Sequence, residues 1–456
     1  MALRVAIVGS GPAGIYTAEA LVKQARGPVE VDVLERLPTP YGLVRYGVAP
    51  DHTSIKSIAG YLRRVLELPA VRFLGGVELG DVDLGADISV EDLRAHYDAV
   101  VYCTGAMVDR RLGVPGEDLP GSVAATDFVN WYCGHPDVPA DRFSLDAEEV
   151  VVIGVGNVAV DVVRILAKTA DELRGTDVPH EVLERLAASR VKTIHMIGRR
   201  GPAQAKFTLK ELRELGELPG VDVLTYPGEV RGADVTGLSR QVRGNVDVLR
   251  GWADRVPRGL PRRLEVRFWL RPVEILGESR VEGVRLERTE LRDGRVAGTG
   301  QFEIIPAGMV LRSVGYQSVP LPGVPFDTAT MTVPNDGGRV IAPEPRAGGQ
   351  YVAGWLKRGP TGVIGTNKSD AAETVRCLLA DLGDRADGGD RAARPRIDEL
   401  LAARGVTPVT YDEWLSIEAA EAELAATLGR GERVKLVGRD AMLAACGRIP
   451  RSGVTV

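Results

Sequence analysis

Two glycine-rich turns, each placed between an apolar strand and a helical pattern, predict an α/β fold with two Rossmann-like dinucleotide-binding domains. The first turn consists of Gly9, Ser10, Gly11, Pro12, Ala13 and Gly14. The second begins about 145 residues later and consists of Gly154, Val155, Gly156, Asn157, Val158 and Ala159. In such turns the glycines let the backbone approach a pyrophosphate, and the N-terminus of the following helix favours its negative charge.

The order of the elements predicts that the second nucleotide domain is inserted into the first. Strand 3–8, helix 12–25 and strand 29–35 alternate as they do in a parallel sheet. We expect the late apolar segments 309–315 and 351–355 to return to this first sheet. The predicted domains are therefore residues 1–106 with 326–456 for the first nucleotide, and residues 107–325 for the second.

The last part of the chain is predicted to be a helical extension of the first domain. Residues 383–395, rich in Gly, Asp and Arg, have the composition of an exposed linker. Thr410 and Glu413 have the spacing of a capping box that opens a helix. Within the inserted domain, segments 264–268 and 281–286 alternate in polarity and are predicted strands.

The composition is that of an ordinary globular enzyme and excludes several classes of protein. The chain of 456 residues is 44% hydrophobic and 26% charged, with a net charge of −5, which argues against binding to nucleic acid or to anionic membranes. No apolar run approaches the roughly 18 residues of a membrane span, and the N-terminal apolar stretch leads directly into the first glycine turn. We therefore expect a cytoplasmic protein without membrane insertion.

The first turn is predicted to bind FAD. Glu35 ends the second strand, 21 residues after Gly14, where such sites place an acid on a ribose hydroxyl. The glycines and this acid do not by themselves distinguish FAD from NAD. FAD is favoured by the position at the N-terminus and by the late segment 355–367, which includes Gly362 and precedes a helical pattern. The amides of that segment could face a flavin ring, although an ordinary loop and helix cap would have the same sequence.

The second turn is predicted to bind NADPH rather than NADH. Its second strand ends in Arg199 and Arg200, where NAD sites carry a carboxylate. Two guanidinium groups can bind the 2′-phosphate of NADPH by charge-assisted hydrogen bonds. Glu211 follows Thr208 at capping-box spacing, so it is predicted either to cap a helix, to contact the cofactor, or to do both.

The four cysteines exclude two further kinds of redox protein. Cys103, Cys133, Cys377 and Cys446 include no C-x-x-C pair. A disulfide reductase needs a redox-active cysteine pair, and an iron–sulfur cluster needs grouped thiolates. No metal site is predicted, and electrons are expected to leave a bound flavin for an external acceptor.

With these motifs together, the chain resembles the adrenodoxin-reductase-like NADPH–ferredoxin reductases, most of all their actinobacterial members. The resemblance rests on segments 37–52, 155–159, 198–202 and 355–368 and extends from residue 3 to about 380. It implies FAD contacts at Ala13, Glu35, Leu43, Leu79, Trp355, Gly362, Val363 and Ile364. It implies NADP contacts at Val155, Gly156, Asn157, Val158, Arg199, Arg200, Glu211 and Gly362. His52 and Glu214 correspond to family residues beside the flavin ring, where His52 would position groups or exchange protons.

The function implied is hydride transfer from NADPH to FAD, followed by release of single electrons to a ferredoxin-type iron–sulfur protein. Residues 240–271 contain nine arginines, and docking of an acidic ferredoxin is expected near Arg240 and Arg243, although a solvated charged face would have the same composition. The alternatives are a flavin-dependent NADPH oxidase or monooxygenase, whose cofactor sites would be the same, and a non-catalytic redox sensor.

Overall fold

The computed structural model describes residues 2–342, 349–383 and 394–448. The chain divides into two compact units. The first unit comprises Met1–Val108, His135–Asp137 and Tyr316–Val456, and the second unit comprises Asp109–Gly134 and Val138–Gly315. Most of the predicted linker 383–395 lies outside the described residues.

Helices and strands alternate along most of the chain. The strands are β1 (Leu3–Val8), β2 (Val29–Glu35), β3 (Val71–Gly75), β4 (Ala99–Tyr102), β5 (Val108–Asp109), β6 (Ser122–Ala124), β7 (Glu149–Ile153), β8 (Thr193–Gly198), β9 (Val221–Thr225), β10 (Arg262–Phe268), β11 (Leu270–Leu276), β12 (Gly283–Arg292), β13 (Arg295–Pro306), β14 (Met309–Arg312), β15 (Tyr316–Gln317), β16 (Asn335–Asp336), β17 (Arg339–Val340) and β18 (Gln350–Val352). The helices are α1 (Pro12–Gln24), α2 (Leu43–Tyr46), α3 (Thr53–Lys56), α4 (Ala59–Leu66), α5 (Val90–His96), α6 (Ala125–Tyr132), α7 (Asn157–Ala167), α8 (Ala170–Leu173), α9 (His180–Ala187), α10 (Leu209–Gly216), α11 (Pro227–Val230), α12 (Arg240–Ala253), α13 (Trp355–Arg358), α14 (Thr366–Leu382), α15 (Ile397–Ala403), α16 (Tyr411–Thr427) and α17 (Arg439–Ala445). Across the described ranges, no helix combines the length and the apolar character needed to cross a bilayer.

The first unit is built on a seven-stranded sheet in the order β16-β17-β18-β4-β1-β2-β3. The strands from β18 to β3 are parallel, and the short strands β16 and β17 extend the edge in antiparallel fashion. Alternate residues of β1 enter different cores: Val5 and Ile7 pack on the side of α1, α4 and α14, and Ala6 and Val8 pack on the opposite side. A parallel sheet covered on both faces requires such continuous apolar strands.

The second unit contains a six-stranded parallel sheet in the order β6-β14-β7-β8-β10-β9. The expectation that segment 309–315 returns to the first sheet is wrong, because β14 pairs with β7 through Met309 opposite Val150. Only the later segment, as β18, joins the first sheet, next to β4. An apolar strand carries no signal for which of two parallel sheets it enters, since both offer buried neighbours on each side.

The two predicted strands of the second unit have different roles. Segment 264–268 is part of β10, a buried strand between β8 and β9. Segment 281–286 overlaps β12, the middle strand of a separate antiparallel sheet with β11 and β13. This sheet packs on the parallel one through a core that includes Leu270, Val284 and Ile305.

The C-terminal segment 397–448 is an integral part of the first unit. Thr410 and Glu413 form the predicted capping box at the start of α16. Trp414 and Ile417 of α16 are buried in the same core as β1 and α1. Val409 exchanges two backbone hydrogen bonds with Gly75 at the end of β3, at 2.8 and 2.7 Å.

A charged cluster attaches the last helix to the first unit. Asp137 accepts hydrogen bonds from Arg439 at 2.8 Å and from Arg36 at 2.5 Å. Burial alone would raise the pKa of Asp137, but these two arginines outweigh it and lower that pKa to about 2. The carboxylate is therefore ionised at neutral pH and bound on both sides.

Candidate functional site

The first glycine turn brings three backbone segments into van der Waals contact. Gly9 has φ of +105°, and a Cβ there would lie 2.6 Å from the carbonyl oxygen of Cys103. A Cβ on Gly14 would lie 1.9 Å from the carbonyl oxygen of Gly9. Gly11 precedes α1, and Pro12 occupies its first turn, where a missing N–H costs no hydrogen bond. The Gly9 N–H donates to the Leu34 carbonyl at 2.8 Å, so the part of the turn that can face an anion is the N-terminus of α1.

Glu35, at the end of β2, is bound to this turn. Its Oε2 accepts hydrogen bonds from the Ser10 N–H at 3.0 Å and from the Ser10 hydroxyl at 2.7 Å. Its Oε1 accepts from the Leu37 N–H at 3.1 Å. Each carboxylate oxygen has further acceptor capacity, so a ribose hydroxyl can still donate to it. Ser10 was not predicted as a functional residue, and its position between two glycines was the available signal.

The loop 39–47 lies against the first glycine turn. Tyr41 has φ of +83°, which is rare for a bulky residue, and its N–H donates to the Ser10 carbonyl at 3.0 Å. Gly42 approaches Gly11 so closely that a Cβ on Gly42 would lie 3.0 Å from the Gly11 Cα. Leu43, predicted from the resemblance to contact FAD, begins α2 directly after this approach.

The late glycine segment lies next to α1. A Cβ on Gly354 would be 2.6 Å from the Cβ of Ala13, so Trp355 begins α13 beside the first turn. The Trp355 indole donates to the Thr361 carbonyl at 3.2 Å. Gly362 has φ of +82°. These contacts fold the segment back on itself.

The end of the late segment leads into α14. The Val363 N–H donates to the Thr366 hydroxyl at 3.1 Å, and Ile364 lies half-buried before the helix begins. Val363 is 71% exposed, which leaves its side chain open to a ligand. Leu79 lies elsewhere, past the end of β3, half-buried against the core on the other face of the sheet.

Asp370 is a residue of this region that the sequence did not single out. Its carboxylate accepts hydrogen bonds from the Gly354 N–H at 2.6 Å and from Arg358 at 3.0 Å, and Lys357 lies 3.1 Å away. It therefore fixes the start of α13 next to the first glycine turn. A carboxylate in the second turn of a predicted helix carries no distinctive signal, because its partners lie across a loop.

The second glycine turn has the same construction. Gly154 has φ of +139°, and a Cβ there would lie 2.0 Å from the Ser313 carbonyl oxygen. A Cβ on Gly156, by contrast, would meet no atom within 4 Å, so space is open above the turn. Asn157 and Val158 begin α7, and the Asn157 side chain accepts from the Thr208 N–H at 2.9 Å.

The two arginines after β8 are free to bind an anion. Their backbone is fixed, since the Arg199 carbonyl accepts from Thr289 at 2.9 Å and the Arg200 carbonyl accepts from Trp269 at 3.3 Å. Arg199 is exposed and Arg200 half-buried, and within the described part of the chain neither guanidinium has a hydrogen bond or ion pair. Two unpaired guanidinium groups on a fixed turn supply charged donors of the kind that a phosphate accepts.

Glu211 is buried and engaged in an ion pair. Thr208 caps α10, but the Thr208 N–H, which a capping box would direct to Glu211, donates to Asn157 instead. The Glu211 carboxylate accepts from Arg164 at 3.1 Å, and Arg164 also binds Asp161 at 2.9 Å. This network joins α10 to α7, the helix that follows the second glycine turn.

His52 and Glu214 belong to different units. His52 is buried at the start of α3, and its backbone carbonyl accepts from the Ile55 and Lys56 N–H groups at 3.1 and 3.0 Å. Glu214 lies on the surface of α10, 3.7 Å from Lys210 and with 38% of its side chain exposed. Their roles beside a flavin stay predictions.

All four cysteines are free thiols, and Cys103 and Cys133 are buried. Burial raises the pKa of Cys103 to about 12 and also raises the pKa values of Cys377 and Cys446. Thiols with raised pKa values are poor nucleophiles. The chain therefore has the dinucleotide turns of a disulfide reductase without its redox-active pair.

The arginine-rich stretch 240–271 is mostly engaged within the second unit. The occupied arginines bind carboxylates, backbone carbonyls or an aromatic ring and are Arg250, Arg255, Arg258, Arg262, Arg263, Arg267 and Arg271. Arg240 and Arg243, both on α12, are exposed and have no ion pair with any described residue. Of the nine arginines in this stretch, these two are the ones without a partner among the described residues, so the unpaired positive charge is smaller than the sequence indicated.

Comparison with known proteins places the chain in a family. Residues 3–216 match the family described as pyridine nucleotide-disulphide oxidoreductase. The chain is 46% identical to NADPH-ferredoxin reductase FprA of Mycobacterium tuberculosis over 95% of its own length and 96% of that protein. It is 40% identical to the mitochondrial NADPH:adrenodoxin oxidoreductase of Salvelinus fontinalis, over 94% and 88% of the two chains.

A solved structure agrees with these sequence matches. Mycobacterium tuberculosis FprA in complex with NADPH superposes with a TM-score of 0.91 and 44% identity, over 98% of this chain and 100% of that one. Identity at this level across nearly the whole of both chains covers both glycine turns and the inserted unit. The chain therefore belongs to the family of NADPH–ferredoxin reductases that includes FprA and adrenodoxin reductase.

Proposed function

We propose that the protein is an NADPH–ferredoxin oxidoreductase that uses FAD. The observation that carries the proposal is the difference between its two glycine turns: one is followed by Glu35, and the other by the unpaired Arg199 and Arg200. FAD, when bound, accepts an electron pair from NADPH and passes the electrons singly to an iron–sulfur protein. The protein itself contributes binding, orientation and selection of the nucleotide.

The FAD site is proposed at the first glycine turn. Gly9, Gly11 and Gly14 open the backbone to the pyrophosphate, Pro12 and Ala13 begin the helix that faces it, and Glu35 accepts from the ribose. The remaining contacts would be Leu43, Trp355, Gly362, Val363 and Ile364 from the loops next to the turn, and Leu79 from the segment past the end of β3. The close approach of Gly354 to Ala13 supports the placement of Trp355 and the late segment at this site.

The NADPH site is proposed at the second turn. Val155, Gly156, Asn157 and Val158 present backbone amides and the N-terminus of α7 to the pyrophosphate. Arg199 and Arg200 bind the 2′-phosphate, which NADH lacks. Glu211, held by Arg164, is proposed to contact the nucleotide.

His52 and Glu214 are proposed to act at the flavin without becoming nucleophiles. Hydride transfer between two cofactors needs orientation and exclusion of water rather than covalent help from the protein. The burial of His52 at a helix start suits a positioning role. The exposure of Glu214 suits proton exchange with solvent.

Ferredoxin docking is proposed at Arg240 and Arg243. They lie one helical turn apart on α12 and are exposed. Complementary charge on an acidic ferredoxin would speed encounter and would be screened by salt. We also propose a cytoplasmic location, since free thiols are usual in that compartment.

The function is tested by NADPH-driven reduction of cytochrome c, with and without ferredoxin, at low and high salt. The proposal predicts a rate that depends on ferredoxin and falls as salt rises. A rate of NADPH oxidation that does not depend on ferredoxin, with oxygen consumed in proportion to NADPH, would instead support the flavin-dependent NADPH oxidase.

A further inference from the structure

The loop 39–47 holds a backbone conformation that it would not adopt alone. Tyr41 has positive φ, and Gly42 lies against Gly11 of the first glycine turn. A bulky residue in the left-handed region persists only where its surroundings hold it there. Within the loop, Thr39 and Tyr46 contribute one hydroxyl–hydroxyl hydrogen bond of 2.7 Å. The Tyr41 N–H donates to the Ser10 carbonyl of the glycine turn, and further restraints come from the C-terminal segment.

The central restraint is a buried ion pair between Arg45 and Glu421. The two side chains are 4% and 0% exposed, and both Arg45 terminal nitrogens donate to the carboxylate, one of them at 3.2 Å. The guanidinium carbon lies 4.9 Å from the Trp414 ring centroid. That ring meets Tyr41 edge-to-face with centroids 5.9 Å apart. Helix α16 thus contacts the loop at its strained residue and at its charged residue.

Lys435, in the same C-terminal segment as Glu421, is a second buried cation beside Arg45. It is 1% exposed, and its ammonium donates to the Arg45 backbone carbonyl at 2.8 Å. The Glu421 carboxylate also accepts from the Leu436 N–H at 3.1 Å, so its position is fixed by the neighbouring backbone. The side chain of Arg45 is therefore held by Glu421, and its main chain by Lys435.

A buried ion pair is a poor source of stability, because desolvation offsets the attraction and apolar replacements are often as stable. Its directional bonds do fix the position of one segment relative to another. Here the segment fixed is the one that carries Leu43, two residues before Arg45. Glu421 is 376 residues away from Arg45 in the chain, so the restraint comes from the tertiary fold.

We propose that Glu421, together with Lys435, is a positioning residue for FAD. It holds Arg45, and through it the loop 39–47, against the first glycine turn, and so sets the affinity for the flavin. The inference rests on the proposed function, because it takes the first turn to be the FAD site.

The test compares FAD affinity with folding stability in matched variants. Glu421→Gln leaves the Arg45 charge unpaired. Lys435→Met removes the ammonium that donates to the Arg45 carbonyl and lies 5.8 Å from the centroid of the Tyr46 ring, and it leaves the pair of Arg45 and Glu421 in place. Glu423→Gln is the charge-matched control, because Glu423 is exposed on the same helix. Ile417→Val is the stability control, because Ile417 is buried in α16 and the change removes one core methyl group while keeping both charged side chains of the pair. For each variant, flavin fluorescence titration gives the Kd for FAD, and urea unfolding gives the midpoint.

Glu421→Gln is expected to raise the Kd for FAD at least about tenfold and Lys435→Met at least about threefold, with both controls within about twofold of the parent. If Glu421→Gln does not fold, the result for Lys435→Met decides. Parent-like FAD affinity in Lys435→Met and in any folded Glu421→Gln overturns the inference. So does an equal rise in Ile417→Val, which would show general loosening of the helix. A parent protein that binds no FAD overturns both this inference and the proposed function.

Discussion

Replacing Arg199 and Arg200 by glutamine, singly and together, is expected to remove the preference for NADPH over NADH. Both guanidinium groups lie directly after β8, on a turn whose backbone is fixed by Thr289 and Trp269. Since neither side chain is paired among the described residues, the substitutions break no internal contact. The fold should therefore tolerate them, and any loss belongs to the nucleotide.

The expected magnitude follows from the exposure of the two groups. A hydrogen bond to a charged group contributes about 1.5–3 kcal/mol, and about 1.4 kcal/mol is a factor of ten. Arg199 is exposed, so its loss should be near the lower end, about tenfold in kcat/KM for NADPH. Arg200 is half-buried and less screened by water, so its loss should be larger. The double variant should lose more than either single one.

The assay is reduction of ferricyanide with NADPH or NADH as donor, which bypasses ferredoxin. The kcat/KM for NADPH should fall and that for NADH should stay within about twofold, because NADH has no 2′-phosphate. The penalty should shrink as salt is raised. Arg295→Gln is the control, because Arg295 is exposed at the hairpin between β12 and β13 and has no ion pair in the described ranges. Equal losses with both donors, or no loss with either, would refute the assignment of these arginines.

Three further results are expected. Gly14→Ala should destabilise the protein by about 2–4 kcal/mol and lower its flavin content, because the new methyl group would lie 1.9 Å from a carbonyl oxygen. In the matched variant Gly156→Ala the new methyl group meets no atom within 4 Å, so the urea midpoint should stay that of the parent. Charge reversal at Arg240 and Arg243 should raise the KM for ferredoxin and leave NADPH–ferricyanide turnover unchanged; equal losses in both assays would argue against docking there. Asp137→Asn should lower the free energy of unfolding by about 1 kcal/mol above pH 4, a figure reduced for solvent screening because about a third of the pair is exposed. Because the pKa of Asp137 in the folded protein is lowered to about 2, this difference from the parent should be lost as pH falls from 4 to 2. A difference in urea unfolding that stays constant across that range would contradict the prediction.

The features predicted well from the sequence are local ones. A glycine turn, the strand before it and the helix after it are contiguous, so the pattern that predicts them is complete within about 30 residues. The end of a strand is similarly local, which is why the positions of Glu35 at the end of β2 and of Arg199 and Arg200 after β8 could be predicted; their contacts with a nucleotide stay predictions. The capping box at Thr410 needed only a spacing of three residues.

The features that were missed depend on contacts between distant segments. Strand β14 was assigned to the wrong sheet because both sheets bury apolar strands. The partners of Glu211 were missed because Arg164 lies 47 residues away. The contact of the C-terminal segment with the loop 39–47 was missed because Arg45 and Glu421 lie 376 residues apart in the chain. The unpaired positive charge of the stretch 240–271 was overestimated because some of the carboxylates that pair with its arginines lie outside that stretch. Glu229, which pairs with Arg267, is one of them.

The most direct test of the account is an anaerobic titration of the purified protein, followed by flavin absorbance. The purified protein is expected to carry FAD. NADPH should bleach the flavin absorbance far more effectively than NADH, and oxidised ferredoxin should then restore it. A protein without flavin, a flavin that NADPH does not reduce, or a reduced flavin that only oxygen reoxidises would contradict the account.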